Sequence, residues 1–179
     1  FYLEPMKKAL TEKNIRIVPV IIQDGESFKN FDTVQKIIAE LSNNEIDRDC
    51  PIIGLGGGVI CDITGFIASI YKEAGYKVGL YNSPYFKLPT ETIKINDEEI
   101  PLNIFESYII KYKKFFDKYD LTEFEIVTFI ALTYFQDKKC DIAIIECGMG
   151  GEIDATNVFD PVLSIITSVS MEHTSVLGR

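Results

Sequence analysis

The chain has 179 residues, 46% of them apolar with 12 Phe and 9 Tyr, enough to bury a sizeable core and too apolar for disorder. Its net charge is −9, so the basic face that a general nucleic-acid binder needs is not on offer. No apolar run reaches the ~20 residues of a membrane span, and no charged-then-apolar leader opens the chain.

The four cysteines, Cys50, Cys61, Cys140 and Cys147, form no CxxC pair, and with a single histidine there is no zinc-ligand spacing. Reduced thiols in a cytosolic protein are expected. The chain starts at Phe1 rather than Met and ends at Arg179, just after an apolar run and a glycine. A longer parent protein is therefore expected.

In chain order, residues 2–13 space Leu3, Met6 and Leu10 as a short amphipathic helix. The β-branched run at 15–22 reads as a strand, and Pro19 within it argues for a sheet edge or an irregularity. Val34, Ile37, Ile38 and Leu41 put a helix at 30–42, with Asn43 and Asn44 suited to its end. "PIIGL" at 51–55 reads as a short buried strand, followed by Gly56, Gly57 and Gly58. A helix from about 59 to 74 then stops at Gly75, a residue suited to a left-handed C′ position. "YKVGLYN" at 76–82 is the next strand, so 51–82 reads as a βαβ unit with parallel strands.

Residues 83–101 hold three prolines and the turn "IND" at 95–97, an extended loop with room for a small hairpin. Helices follow at 102–119 and 121–139. The first carries Lys111, Lys113 and Lys114, read as a solvated helix face. The second opens with a capping box, Thr122 and Glu125, and is apolar almost all round, so it should be buried. "DIAIIEC" at 141–147 is apolar on both faces, as in the middle of a parallel sheet, and "VLSIITSV" at 162–169 is the last strand. Four or five strands interleaved with helices predict one α/β domain over 1–179, Rossmann-like, mainly parallel, with helices on both faces.

Two features carry chemistry. The triglycine turn ahead of a helix lets backbone N–H groups converge on an anion, or is simply a tight turn with Asp62 favoured by the helix dipole. Glu146 ends a buried strand just before a second glycine turn, where open α/β sheets bind ligands. His173 taken alone reads as a surface or capping residue.

"DGESFKN" at 24–30 and "LGGGVICDITGFIAS" at 55–69 resemble, in order and at the expected separation, the 3-dehydroquinate synthase family. That resemblance covers about residues 1–72. It implies that Asp24, Glu26 and Lys29 lie at the nucleoside of NAD, and that Gly57, Gly58 and Asp62 lie around its pyrophosphate. Cys61 departs from the family, which has glycine there, and the family's zinc-binding helical domain does not follow.

From Glu73 onward the chain resembles another family. "GYKVGLYNSPYF", "TEFEIVTFIALTYF", "AIIECGMGGEIDATNV" and "ITSVSMEHTSVLG" are similar to folylpolyglutamate synthase/dihydrofolate synthase, of the Mur ligase superfamily. This resemblance implies a magnesium site at Ser83, Glu146 and His173. It also implies a pterin or folate wall made of Thr122, Glu123, Phe124 and Glu125 together with Ile153, Asp154 and Ala155. The implied reaction activates a carboxylate with ATP as an acyl phosphate, which an amine then attacks. The family's lysine-bearing ATP loop should fall at residues 56–62, where this chain has "GGGVICD". Ile60 stands at the lysine position and Asp62 at the magnesium-binding hydroxyl. The expectation is thus a chimera or truncated ligase domain with weak triphosphate binding and no activity alone, or a catalytically silent chimera that binds a nucleotide through an NAD-type loop or is purely structural. Dehydroquinate synthase activity is the third reading.

Overall fold

The β-branched and apolar runs pair into one seven-stranded sheet of order β1-β7-β2-β6-β3-β4-β5 in the computed structural model, which describes residues 18–22, 30–44, 52–55, 58–159, 161 and 163–166. The strands are β1 (Pro19–Ile21), β2 (Ile52–Leu55), β3 (Val78–Tyr81), β4 (Ile93–Ile95), β5 (Glu98–Glu99), β6 (Ile142–Glu146) and β7 (Leu163–Ile166). The helices are α1 (Phe31–Asn43), α2 (Gly58–Glu73), α3 (Leu102–Tyr119) and α4 (Glu123–Asp137). The expected helix at 2–13 lies outside the described residues.

Strands β1, β7, β2, β6 and β3 are all parallel. Pro19 opens β1, which among the described residues pairs only with β7, so the missing N–H falls on a sheet edge, one of the two places the sequence allowed. Strands β2 and β3 are parallel but not neighbours, because β6 lies between them and pairs with both. A βαβ reading of residues 51–82 cannot anticipate that, since the inserted strand comes sixty residues later. Residues 83–101 do hold a small hairpin, with more regular structure before it than an extended loop would have. They form a 3₁₀ turn at Pro89–Thr92 and the antiparallel hairpin β4–β5, which widens the sheet beyond five strands. Asn96 and Asp97, at φ 51° and 68°, make its two-residue turn, the geometry that suits the twist of a hairpin. Asn96 Oδ1 accepts from the Val78 N–H at 2.8 Å, which ties the hairpin to the start of β3.

Alternation along the strands divides the core between two faces. Val78 and Leu80 of β3, with Ile142 and Ile144 of β6, pack under α1 and α2 against Ile37 and Ile67. Tyr81 and Ile145 face the other way, against Ile130, Ala131 and Phe135 of α4 and Phe105 of α3. Gly79 sits against Phe135, where an added Cβ would lie 2.7 Å from the ring. This close approach is what lets α4 lie flat on the sheet. Helix α2 ends at Gly75 (φ 90°), with Tyr76 N–H donating to Tyr71 O and Gly75 N–H to Lys72 O, a Schellman ending. Lys113 pairs with Asp117 at 2.8 Å and Lys111 stands over the Tyr112 ring, so the lysines of α3 do form a solvated face.

Candidate functional site

The carboxyl ends of β3 and β6 lie side by side, and the chain leaves each through a bend. After β3 it passes Asn82 and a cis Ser83–Pro84 bond. After β6 it enters a loop with Gly150 and Gly151 at φ 72° and 85°, backbone that favours glycine. Glu146, only 5% exposed, accepts from the Ser83 N–H at 2.8 Å through Oε2. Two of the three residues expected at a magnesium site are thus brought together. The third, His173, lies outside the described residues.

Asp154 organises the loop after β6. Its Oδ2 accepts from the Met149 N–H at 2.6 Å, and its Oδ1 from the N–H and hydroxyl of Thr156 at 2.9 and 2.6 Å. Ile153 beside it is 71% exposed, while Ala155 is half-buried. Cys147, buried between β6 and this loop, has its thiol pushed up to about 12 by burial, and Cys140 rises to about 11 for the same reason. Both are free thiols.

The start of α4 closes the same edge. Thr122 and Glu125 form the capping box read from the sequence: the Thr122 N–H donates to Glu125 Oε2 at 2.7 Å, and the Glu125 N–H to Thr122 Oγ1 at 3.3 Å. The Thr122 N–H and hydroxyl, both donating to Oε2, hold the Glu125 carboxyl below its ordinary value. Glu123 accepts from the Tyr85 hydroxyl, joining α4 to the bend after β3. Phe124 packs on Gly148 so closely that a Cβ there would collide with its ring. The residues expected to line a pterin wall therefore share one edge with Ser83 and Glu146. Asp154, Thr122 and Glu125 also hold that edge in shape.

Three residues that the motifs did not single out belong here. Tyr81 is buried and shares a 3.0 Å hydrogen bond with Thr128, and burial pushes its phenol up to about 12. Phe86 is 98% exposed on a bend whose three N–H groups, of Phe86, Lys87 and Leu88, converge on the Glu91 carboxylate. Asn82 has a buried side-chain oxygen with no hydrogen-bond partner.

The glycine turn is less fully described. Asp24, Glu26, Lys29 and Gly57 lie outside the described residues. Gly58 is the first residue of α2, and Asp62 is exposed. The dipole role expected for Asp62 is weakened: α2 starts at Gly58, which puts Asp62 beyond the first helical turn, where the pull of the helix N-terminus falls off.

Comparison with known proteins bears on both resemblances. A probable bifunctional folylpolyglutamate synthase/dihydropteroate synthase of Haloferax volcanii is 41% identical over 117 residues, covering 63% of this chain and 14% of that protein. A solved folylpolyglutamate synthase of L. casei superposes with a TM-score of 0.65 at 29% identity, covering 84% of this chain and 39% of that one. An E. coli structure described as FolC in complex with DHPP and ADP gives 0.62 at 32% identity, covering 72% and 31%. Homology to the folylpolyglutamate and dihydrofolate synthases is strongly supported. The mixed α/β fold with its parallel strands is the fold of those structures.

The chain spans well under half the length of these relatives. Residues 19–90 also match the family model described as 3-dehydroquinate synthase N-terminal. The NAD and dehydroquinate expectations rest on that match alone. The structural likeness to the L. casei synthase covers more of the chain than residues 73–179 could supply, so it reaches back across the supposed junction. Among the described residues no helix is long and apolar enough to cross a membrane.

Proposed function

We propose that this chain is part of a folylpolyglutamate/dihydrofolate synthase-like ligase domain, and that the edge formed by β3, β6 and the start of α4 binds a divalent cation and a pterin-bearing substrate. The observation that carries this is the pairing of a buried carboxylate, Glu146, with the Ser83 N–H at the carboxyl edge of a parallel sheet. Magnesium fits the donor set, because it takes hard oxygen ligands and the edge offers a carboxylate and a serine hydroxyl. Ser83, Glu146 and His173 would hold it, and when bound it would offset phosphate charge. The Ser83 N–H keeps the Glu146 carboxylate turned to one side, so that its approach to the cation is fixed before binding.

The pterin wall in this reading is Thr122, Glu123, Phe124 and Glu125 facing Ile153, Asp154 and Ala155. Phe124 offers a ring face for stacking, and the exposed Ile153 offers apolar cover. Asp154 acts by fixing the loop that carries Ile153 and Ala155. The triphosphate grip is the weak part. "GGGVICD" at 56–62 has no lysine to neutralise the phosphates, and Asp62 adds a negative charge nearby. ATP therefore binds weakly to this chain alone, and ligation by it alone is absent.

The second reading, favoured by the family-model match over 19–90, is an NAD-type glycine loop at Gly57, Gly58 and Asp62 with Asp24, Glu26 and Lys29 at the nucleoside, joined to the ligase-like segment as a chimera. One titration series separates the two. Dihydropteroate binding that is lost in Asp154→Ala supports the ligase reading. NAD binding that is lost in Gly58→Val, with dihydropteroate silent, refutes it in favour of the second. Changing Ile60→Lys together with Asp62→Thr should raise ATP affinity if only the loop is at fault.

A further inference from the structure

The strand register places a second polar residue beside Glu146. In the parallel pairing of β3 with β6, Tyr81 stands opposite Ile145, so the next pair is Asn82 and Glu146. The Asn82 N–H still donates to Thr92 O at 3.1 Å, which carries the extended backbone one residue past the end of β3. Alternation gives the face. Leu80 and Ile144 both pack under α2, and Asn82 and Glu146, two residues further on each strand, share that face. On the other side of β6, Gly54 of β2 is opposite Glu146 and contributes no side chain to the row. The result is a short row across three strands, glycine, carboxylate and carboxamide, at the edge where α2 begins.

Asn82 Oδ1 is buried and accepts no hydrogen bond. Buried polar groups are nearly always satisfied, so an orphaned acceptor beside a buried carboxylate points to a donor that arrives with a ligand. A cation held by Glu146 would bring such donors, because magnesium keeps several of its waters and polarises their O–H bonds. We propose that Asn82 is a positioning residue of the cation site, its side-chain oxygen accepting a hydrogen bond from a water on the divalent ion that Glu146 holds. This rests on the magnesium reading given above and adds a residue to it. Asn82 touches the ion only through that water. Its effect is to fix the orientation of the hydrated ion against the sheet edge, and so the direction from which a phosphate or carboxylate oxygen can replace the remaining waters.

The test uses Mn²⁺ alone as the probe, with free Mn²⁺ counted by electron paramagnetic resonance against the intact chain and its variants. Asn82→Leu keeps the branched shape and removes the acceptor, and should weaken Mn²⁺ binding about tenfold or more, as loss of an outer-shell partner does. Asn82→Asp, which can only accept, should bind within about threefold of the parent or more tightly. Glu146→Gln should abolish binding. Thermal unfolding of each variant checks that it is folded, and Asn82→Ala replaces Asn82→Leu if the leucine does not fit. Mn²⁺ affinity within twofold of the parent in the leucine or alanine variant, with binding lost in Glu146→Gln, overturns the role of Asn82 and leaves the magnesium reading standing. Loss of binding in Asn82→Asp also overturns it, since the oxygen would then not be an acceptor. Unchanged binding in Glu146→Gln brings down the magnesium reading and this proposal with it.

Discussion

Changing Gly148→Ala tests whether the loop after β6 and the start of α4 are as closely joined as the structure has them. The new Cβ would lie 3.0 Å from Cε1 and Cε2 of Phe124 and nearer still to Cζ. Carbon atoms rest about 3.5–4.0 Å apart, so the ring must retreat by about an ångström. Gly148 has no positive φ, and the penalty is therefore steric alone. Phe124 is half-buried and its ring lies 6.3 Å from that of Tyr81, so it can yield, but only by giving up packing on Gly148 and Tyr81. Overpacking of this kind costs about 1–3 kcal/mol, and the half-buried ring places the expected value near 1–2 kcal/mol. In a Phe124→Ala background the obstacle is gone, and the same Gly148→Ala change should cost under about 0.5 kcal/mol, giving a coupling of about 1 kcal/mol or more. Urea unfolding followed by circular dichroism on the four chains of the cycle measures it. An equal cost in both backgrounds would refute the contact, and with it the claim that Phe124 and the Gly148 loop form one wall.

Three further outcomes follow from the geometry. Gly79→Ala should destabilise by about 2–3 kcal/mol, towards the upper end of overpacking, because Phe135 is almost fully buried and has nowhere to go; chemical denaturation reads the shift in midpoint. Burial raises the Tyr81 phenol from 10.0 to about 12, so its contribution, about 2–3 kcal/mol, is fully present below pH ~10 and is lost as the pH rises through ~12; Tyr81→Phe should flatten that part of the stability profile, and an unchanged slope would show that Tyr81 is not the group responsible. The Glu91 carboxyl is held below its ordinary value by the N–H groups of Phe86 and Leu88, so Glu91→Gln should speed hydrogen exchange at those two amides and at Lys87, while exchange in β4 stays unchanged.

Local signals in the sequence were read well because the physics behind them is local. Pro19 cannot donate to a ladder and lies on the edge strand. Gly75 tolerates a positive φ and ends α2. Thr122 and Glu125 cap α4 because their side chains reach only their own first turn. The run at 142–146, apolar on both faces, is indeed central, flanked by β2 and β3. What the sequence left open was long-range. Nothing in residues 51–82 announces that β6 will enter between β2 and β3, because that pairing is decided by which apolar runs bury best together. The hairpin β4–β5 was visible only as the turn "IND", since β5 has two exposed residues and no apolar alternation to give it away. At the site, Ser83 and Glu146 carried motif signals, but Asn82 did not. Its place beside Glu146 comes from strand register, which a single chain does not spell out. Two motif groups also proved to have structural duties that the resemblance alone would not reveal: Thr122 with Glu125 as a cap, and Asp154 as the anchor of its loop.

The central claim is that the edge formed by β3, β6 and α4 receives a pterin-bearing substrate. The most direct measurement is a calorimetric titration of dihydropteroate into the intact chain in the presence of Mg²⁺, repeated with Asp154→Ala and run beside an identical titration of NAD. The ligase reading predicts saturable dihydropteroate binding that the Asp154→Ala change weakens at least tenfold, with no heat from NAD. Saturable NAD binding with no response to dihydropteroate would contradict it.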